Sequence, residues 1–174
     1  MTAFSPKKIL SHPVLVPVGL LFLAVTALGS ALTSQYAFGL NPCPLCLYQR
    51  WPYAIIIGLS LIAVLMGLKN KGKAVSGLVF LCGLALLAGG VIASYHVGVE
   101  QHWWKSFLEG CTINFDNTQD LLKQIEGTKA ARCDEIPWSM FGISMAGYNA
   151  IISLIAVPIT LIASLLIVRR ANGF

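Results

Sequence analysis

Long stretches without a charged side chain most constrain what this chain can fold into. None occurs from Ile9 to Gln49, from Trp51 to Leu68, from Ala74 to Val99 or from Ile136 to Val168. A membrane-spanning helix needs about 20 apolar residues. The runs therefore predict four spans, near Val14–Ser34, Trp51–Leu68, Ala74–Tyr95 and Ile143–Val168. Charged residues make up 11% of the chain, well short of the roughly 25% of a soluble globular domain. The first run is too long for a signal-peptide core and has no convincing small-residue cleavage site after it, so a retained anchor is expected. Its Ala27, Ala31, Gly29, Ser30 and Ser34 suit close helix packing. The expected fold is all-α: one four-transmembrane-helix bundle over residues 1–174. A long extracytoplasmic loop, about 96–142, would carry short interfacial helices.

Charge sets the orientation. Lys7 and Lys8 precede the first span, Lys69, Lys71 and Lys73 fill the second link, and Arg169 and Arg170 follow the fourth span. An even number of spans puts these groups on one face, which the positive-inside rule makes cytoplasmic, together with both termini. All 7 acidic residues fall in the outer loop. The net charge of +5 is thus a topology signal. No basic patch interleaved with aromatics occurs, so nucleic-acid binding is not expected.

Four of the 5 cysteines fall on the outer side, where disulfides persist. Cys82 falls mid-span and reads as a small packing residue. Cys43 and Cys46 form a Cys-X-X-Cys pair flanked by Pro42 and Pro44 at the outer end of the second span. Pro44 suits a first helical turn, which puts Cys43 near a helix N-terminus, where unpaired N–H groups favour a thiolate. Two thiols this close can cycle between dithiol and disulfide. A structural disulfide or half a zinc site would use the same spacing. Zinc usually wants a second close pair, and Cys111 and Cys133 are far apart, so no metal site is expected. Arg50 follows Cys46 at i+4 and can share its face. It could stabilise a thiolate, polarise a ligand carbonyl, or simply snorkel to the interface.

His96 and Glu100 are i,i+4 partners if the third helix continues that far. His96 could donate to a quinone oxygen or serve a proton path, or be an interfacial histidine. Gln101–Leu108, with Trp103, Trp104 and Phe107, suits a segment lying along the membrane surface. Residues 117–126 read as a second short helix. A Cys111–Cys133 disulfide would be either a staple or an exchangeable bond. Trp138 reads as an aromatic-belt residue and Asn149 as inter-helix glue.

Four spans, Pro-Cys-Pro-Leu-Cys-Leu-Tyr-Gln-Arg at the outer end of the second (Pro42–Arg50), a further cysteine pair in the outer loop, and Trp138 five residues after Cys133 resemble the DsbB family of disulfide-bond formation proteins. The resemblance covers nearly the whole chain; Tyr148 stands where it leads one to expect tryptophan. It implies a protein dithiol:quinone oxidoreductase of the bacterial inner membrane. Cys43 and Cys46 would be the quinone-coupled pair. Cys111 and Cys133 would exchange with a periplasmic, DsbA-like thiol oxidase of thioredoxin fold. Arg50 and His96 would bind the quinone, ubiquinone or menaquinone. Membrane quinone suits the task, because glutathione, at about −180 to −260 mV, cannot reoxidise a partner near −120 mV. The alternatives are a thiol oxidoreductase of the vitamin K epoxide reductase type or one with a dedicated partner, and a non-enzymatic membrane protein with structural disulfides.

Overall fold

A computed structural model describes residues 6–108, 111 and 131–173 of the chain. The helix expected over 117–126 lies outside the described residues. Four helices are long and apolar enough to cross a membrane, over Leu15–Tyr36, Pro44–Leu68, Gly72–Glu100 and Met145–Ala171. The chain is a multi-pass membrane protein, and the four-helix expectation holds. In chain order, α1 is Pro6–Leu10, α2 Leu15–Tyr36, α3 Pro44–Tyr48, α4 Arg50–Leu68 and α5 Gly72–Glu100. Two short strands, β1 (Ser139–Met140) and β2 (Ile143–Ser144), precede α6 (Met145–Ala171). Helices α3 and α4 together make the second span, with Gln49 between them.

All four spans extend, at one end or both, beyond the stretches read from the charge-free runs. Charge-free runs mark the lipid-buried part of a helix, while backbone hydrogen bonding continues past it. Thus α5 runs on through His96 to Glu100, which brings both side chains onto one helical face. The third and fourth spans, α5 and α6, pair most extensively, α4 packs on α5, and α2 docks mainly on α4. Small residues permit the close approach. A Cβ at Gly83 would meet Leu161, and one at Gly90 would meet Ser153. The mid-bundle core combines Ile56, Val75, Val79, Cys82 and Leu86 with Ile167.

Residues 101–108 fold as turns and bends, so no interfacial helix forms there. His102 takes a left-handed conformation (φ 59°), which ends the helical path just after α5. Tyr95 then organises the segment. Its ring stacks on Trp104 at 5.9 Å and lies 5.3 Å from Phe107, while its carbonyl accepts the Trp104 indole N–H at 3.1 Å. A Cβ at Gly98 would collide with the Trp104 ring, so glycine is required by this approach. Before α6, β1 and β2 form a tight antiparallel hairpin with Phe141 (φ 53°) and Gly142 (φ 76°) as its two turn residues. Positive φ at both positions marks the turn whose twist matches paired strands. The hairpin delivers Ser144 to the first turn of α6, where its hydroxyl accepts the Gly147 N–H at 3.1 Å.

Candidate active site

The site is built where α3 begins. Cys43 is extended (φ −74°, ψ 166°) and caps the helix: its sulfur accepts the Cys46 N–H at 3.3 Å, and Pro44 occupies the first turn. Proline there costs no hydrogen bond and presets the helical φ. One turn on, the two sulfurs stand 3.0 Å apart. Cys43 is buried and Cys46 half-buried. The Cys43 thiol donates to Cys46; that bond, with burial, pushes the Cys43 thiol above its ordinary value, against the thiolate expected from its place at a helix N-terminus.

His96 reaches this pair from α5, 53 positions along the chain, with Nε2 3.6 Å from the Cys43 sulfur. Its Nδ1 is 2.8 Å from the Gln49 amide, and Gln49 in turn accepts from Asn149 of α6 at 2.6 Å. Asn149 Oδ1 accepts from the Tyr53 hydroxyl. On its other side, His96 Nε2 lies 3.8 Å from the Glu100 carboxylate, which accepts a hydrogen bond from Ser144. A chain of polar side chains therefore crosses from α4 through α5 to α6. An unpaired polar group in hydrocarbon costs several kcal/mol, so such chains must close on themselves. This one does: no buried side-chain nitrogen or oxygen lacks a partner among the described residues.

Cys111 and Cys133 form a disulfide. Both are fully buried, and they pack in one cluster with Cys43, Leu45 and Val99. The two cysteine pairs are thus neighbours within a single packed cluster. Beside Cys133, the Arg132 guanidinium grips Asp134 with two hydrogen bonds, at 3.0 and 2.7 Å. That contact holds the Asp134 carboxyl below the usual carboxylate range.

Arg50 goes elsewhere. Its guanidinium crosses to α2, donating to Gln35 Oε1 at 2.6 Å and to the Ala31 carbonyl at 3.5 Å. No carboxylate pairs with it among the described residues. Exposed Tyr36, Phe38, Leu47 and Trp51 belong to the neighbouring α2–α3 loop and helix ends. Half-buried Cys46, a guanidinium with spare N–H donors and flanking apolar surface suit a flat ligand bearing carbonyl oxygens. A quinone has that chemistry, so the residues present fit one.

Of the residues singled out by sequence, the fold gathers Cys43, Cys46, Cys111, Cys133 and His96 into one site and leaves Arg50 at its α2 side. Gln49, Tyr53 and Ser144 were missed. Gln49 and Tyr53 carried a weak signal, being polar groups near the start of an apolar helix. Asn149 does bridge helices, as read, but its partners are site residues.

This fold and site define an integral membrane thiol protein with two adjoining cysteine pairs at one end of a helix bundle. The sequence model of the DsbB family, described as disulfide bond formation protein DsbB, matches residues 14–163. The chain belongs to that family and is a disulfide bond formation protein with a role in disulfide oxidation. Among curated relatives, disulfide bond formation protein B of Aromatoleum aromaticum is 28% identical over 166 residues, covering 90% of this chain and 92% of the relative. The protein of the same name from Azoarcus sp. is 32% identical over 144 residues, covering 74% and 81%. That of Marinobacter nauticus is 31% identical over 143 residues, covering 76% and 81%. No solved structure matches the chain.

Proposed function

We propose that this protein is a protein dithiol:quinone oxidoreductase that reoxidises a periplasmic DsbA-like thiol oxidase. The observation that carries the proposal is the packing of Cys43, Cys111 and Cys133 in one cluster, with Cys46 beside it. Exchange between the pairs then needs only local movement. In this reading the single domain spans the inner membrane, both termini are cytoplasmic, and the cysteine pairs face the periplasm. The positions of Lys7, Lys8, Lys69, Lys71, Lys73, Arg169 and Arg170 support that orientation.

The relay balances as two dithiol–disulfide exchanges. A partner thiolate attacks the Cys111–Cys133 disulfide, and the partner leaves as a disulfide with Cys111 and Cys133 as a dithiol. That dithiol attacks the Cys43–Cys46 disulfide, restoring Cys111–Cys133 and leaving Cys43 and Cys46 reduced. A bound quinone supplies a two-electron, two-proton acceptor for the reduced pair. Arg50 would hold a carbonyl oxygen of that ligand, and His96, with Nε2 3.6 Å from the Cys43 sulfur, would accept the Cys43 proton once its ring hydrogen is on Nδ1. Cys111 and Cys133 are buried, so a partner reaches them only once their packing opens.

The test uses purified protein with reduced partner oxidase, following quinone absorbance. Quinone reduction is expected with all four cysteines present and to fall to background with any one replaced by serine. On a non-reducing gel, Cys133→Ser should hold the partner in a mixed disulfide through Cys111, and Cys111→Ser should trap little. An adduct in a Cys46-deficient chain but none in Cys133→Ser would overturn the two-pair relay and leave the loop disulfide a staple.

A further inference from the structure

We infer that, when reduced, Cys43 and Cys46 together with His96 form a site for one thiophilic metal ion of the zinc(II) class. Two thiol sulfurs and one imidazole nitrogen lie within 4.8 Å of one another. This Cys2His set matches the composition of a zinc centre that keeps one position open. Zinc–sulfur bonds of about 2.3 Å and zinc–nitrogen bonds of about 2.0 Å imply tetrahedral edges of about 3.5 Å between sulfur and nitrogen and about 3.8 Å between sulfurs. The Cys43–His96 edge is already 3.6 Å. The sulfurs, at 3.0 Å, must part by somewhat under ~1 Å. Half-buried Cys46 has the freedom to make that rotation.

The surroundings support the ion in two ways. First, a metal-ligating histidine usually has its other nitrogen held by a second residue, and Gln49 sits 2.8 Å from His96 Nδ1. As drawn, the Gln49 amide N–H2 faces Nδ1. Turning over the amides of Gln49 and Asn149 together presents the Gln49 oxygen to Nδ1–H and frees the Nε2 lone pair. The Asn149 N–H2 then meets the Tyr53 oxygen. Every hydrogen bond in the chain is kept in either direction. Second, two thiolates and a neutral imidazole cancel the charge of a divalent ion. A neutral centre is what a low-dielectric membrane edge tolerates. The fourth position is left to water, which keeps the centre neutral.

Binding exchanges two thiol protons for the ion and moves no electrons. The ion therefore competes with disulfide formation: it locks the pair reduced, and oxidation of the pair to a disulfide removes two ligands and ejects the ion. Zinc-class ions would act as a brake on the relay. The regulatory consequence rests on the redox role proposed for this pair; the binding does not.

The experiment titrates zinc(II) into full-length, reduced protein in detergent without quinone or partner, against a chromogenic chelator. One equivalent is expected, lost when Cys43 and Cys46 are oxidised and retained in Cys111→Ser/Cys133→Ser. Cys43→Ser and Cys46→Ser should abolish it. Gln49→Ala should weaken it about 10–100-fold and His96→Ala, which removes a ligand, by more, while His96→Cys, which returns a third ligand, should retain it. Cys82→Ala should leave it unchanged. Equal affinity in wild type and His96→Ala, a requirement for Cys111 or Cys133, or no stoichiometric binding would each overturn the inference. Quinone turnover without zinc binding removes this inference alone. Zinc binding without quinone turnover removes the redox reading and leaves the site.

Discussion

The bundle buries polar groups in two places, and they are built differently. At mid-bundle, Ser76 donates to the Ser164 carbonyl at 2.8 Å, Thr160 to the Ala156 carbonyl at 2.7 Å, and Cys82 lies 3.8 Å from the Ser60 hydroxyl. These are short side chains bonding backbone or one neighbour, and none is a carboxylate, imidazole or amide. At the cysteine-bearing end, side chain bonds side chain from Tyr53 through Asn149 and Gln49 to His96, and Ser144 bonds Glu100. A hydroxyl bonded across helices, as Ser76 is to Ser164, serves helix packing at about 0.6 kcal/mol. Ionisable groups at membrane depth are costly and belong to function. One protein thus holds both the inexpensive and the costly kind, and the costly kind surrounds Cys43.

That contrast can be broken first at the thiols, where the largest effect is expected. Because its pKa is raised, Cys43 holds less thiolate at any given pH than an ordinary thiol. The stability gained from keeping that proton is full below the ordinary thiol pKa and is lost as pH rises through the raised one. An alkylating reagent at neutral pH should modify Cys46 and spare Cys43, as peptide mass mapping would show. Equal labelling would mean the capping geometry at Cys43 does not govern reactivity.

Arg50 comes next. Charge-assisted hydrogen bonds contribute about 1.5–3 kcal/mol, so Arg50→Ala should lower quinone turnover roughly 10–100-fold. Both disulfides should still form on a non-reducing gel. Arg50→Lys should also be impaired, since lysine lacks the planar fork. Normal kinetics in both variants would leave Arg50 as an anchor between α4 and α2. Gln49→Ala strips a partner from both His96 and Asn149 at a cost of about 1–3 kcal/mol. Turnover should fall about tenfold, and thermal stability should drop more than in any mid-bundle hydroxyl variant. The smallest effect belongs to mid-bundle itself. Ser76→Ala should cost about 0.6 kcal/mol, and Cys82→Ala should leave quinone turnover unchanged. A turnover defect in Cys82→Ala would mean the two polar regions are coupled, and the contrast would fail.

Much of this protein was legible in order along the chain. The four spans follow from charge-free runs, because the cost of putting a charge in hydrocarbon acts residue by residue. The place of Cys43 near a helix N-terminus and that of Pro44 in the first turn follow from local helix chemistry, and the motif containing them carried the family. Tertiary structure decided the rest. Whether α5 kept its helix to Glu100, and whether His96 turned toward Cys43 rather than toward lipid, depended on how α5 rotates against α4 and α6. Hydropathy is nearly uniform around such helices, so no periodic stripe announces that rotation. The sequence also argued against a metal, since it offered no second close cysteine pair, while the fold brings an imidazole to the first pair from 53 positions away. The loop disulfide could be read only as staple or exchangeable bond; its burial against Cys43 depends on contacts made between distant segments. Spacing determines what neighbouring residues can do together. Packing alone determines which distant residues become neighbours.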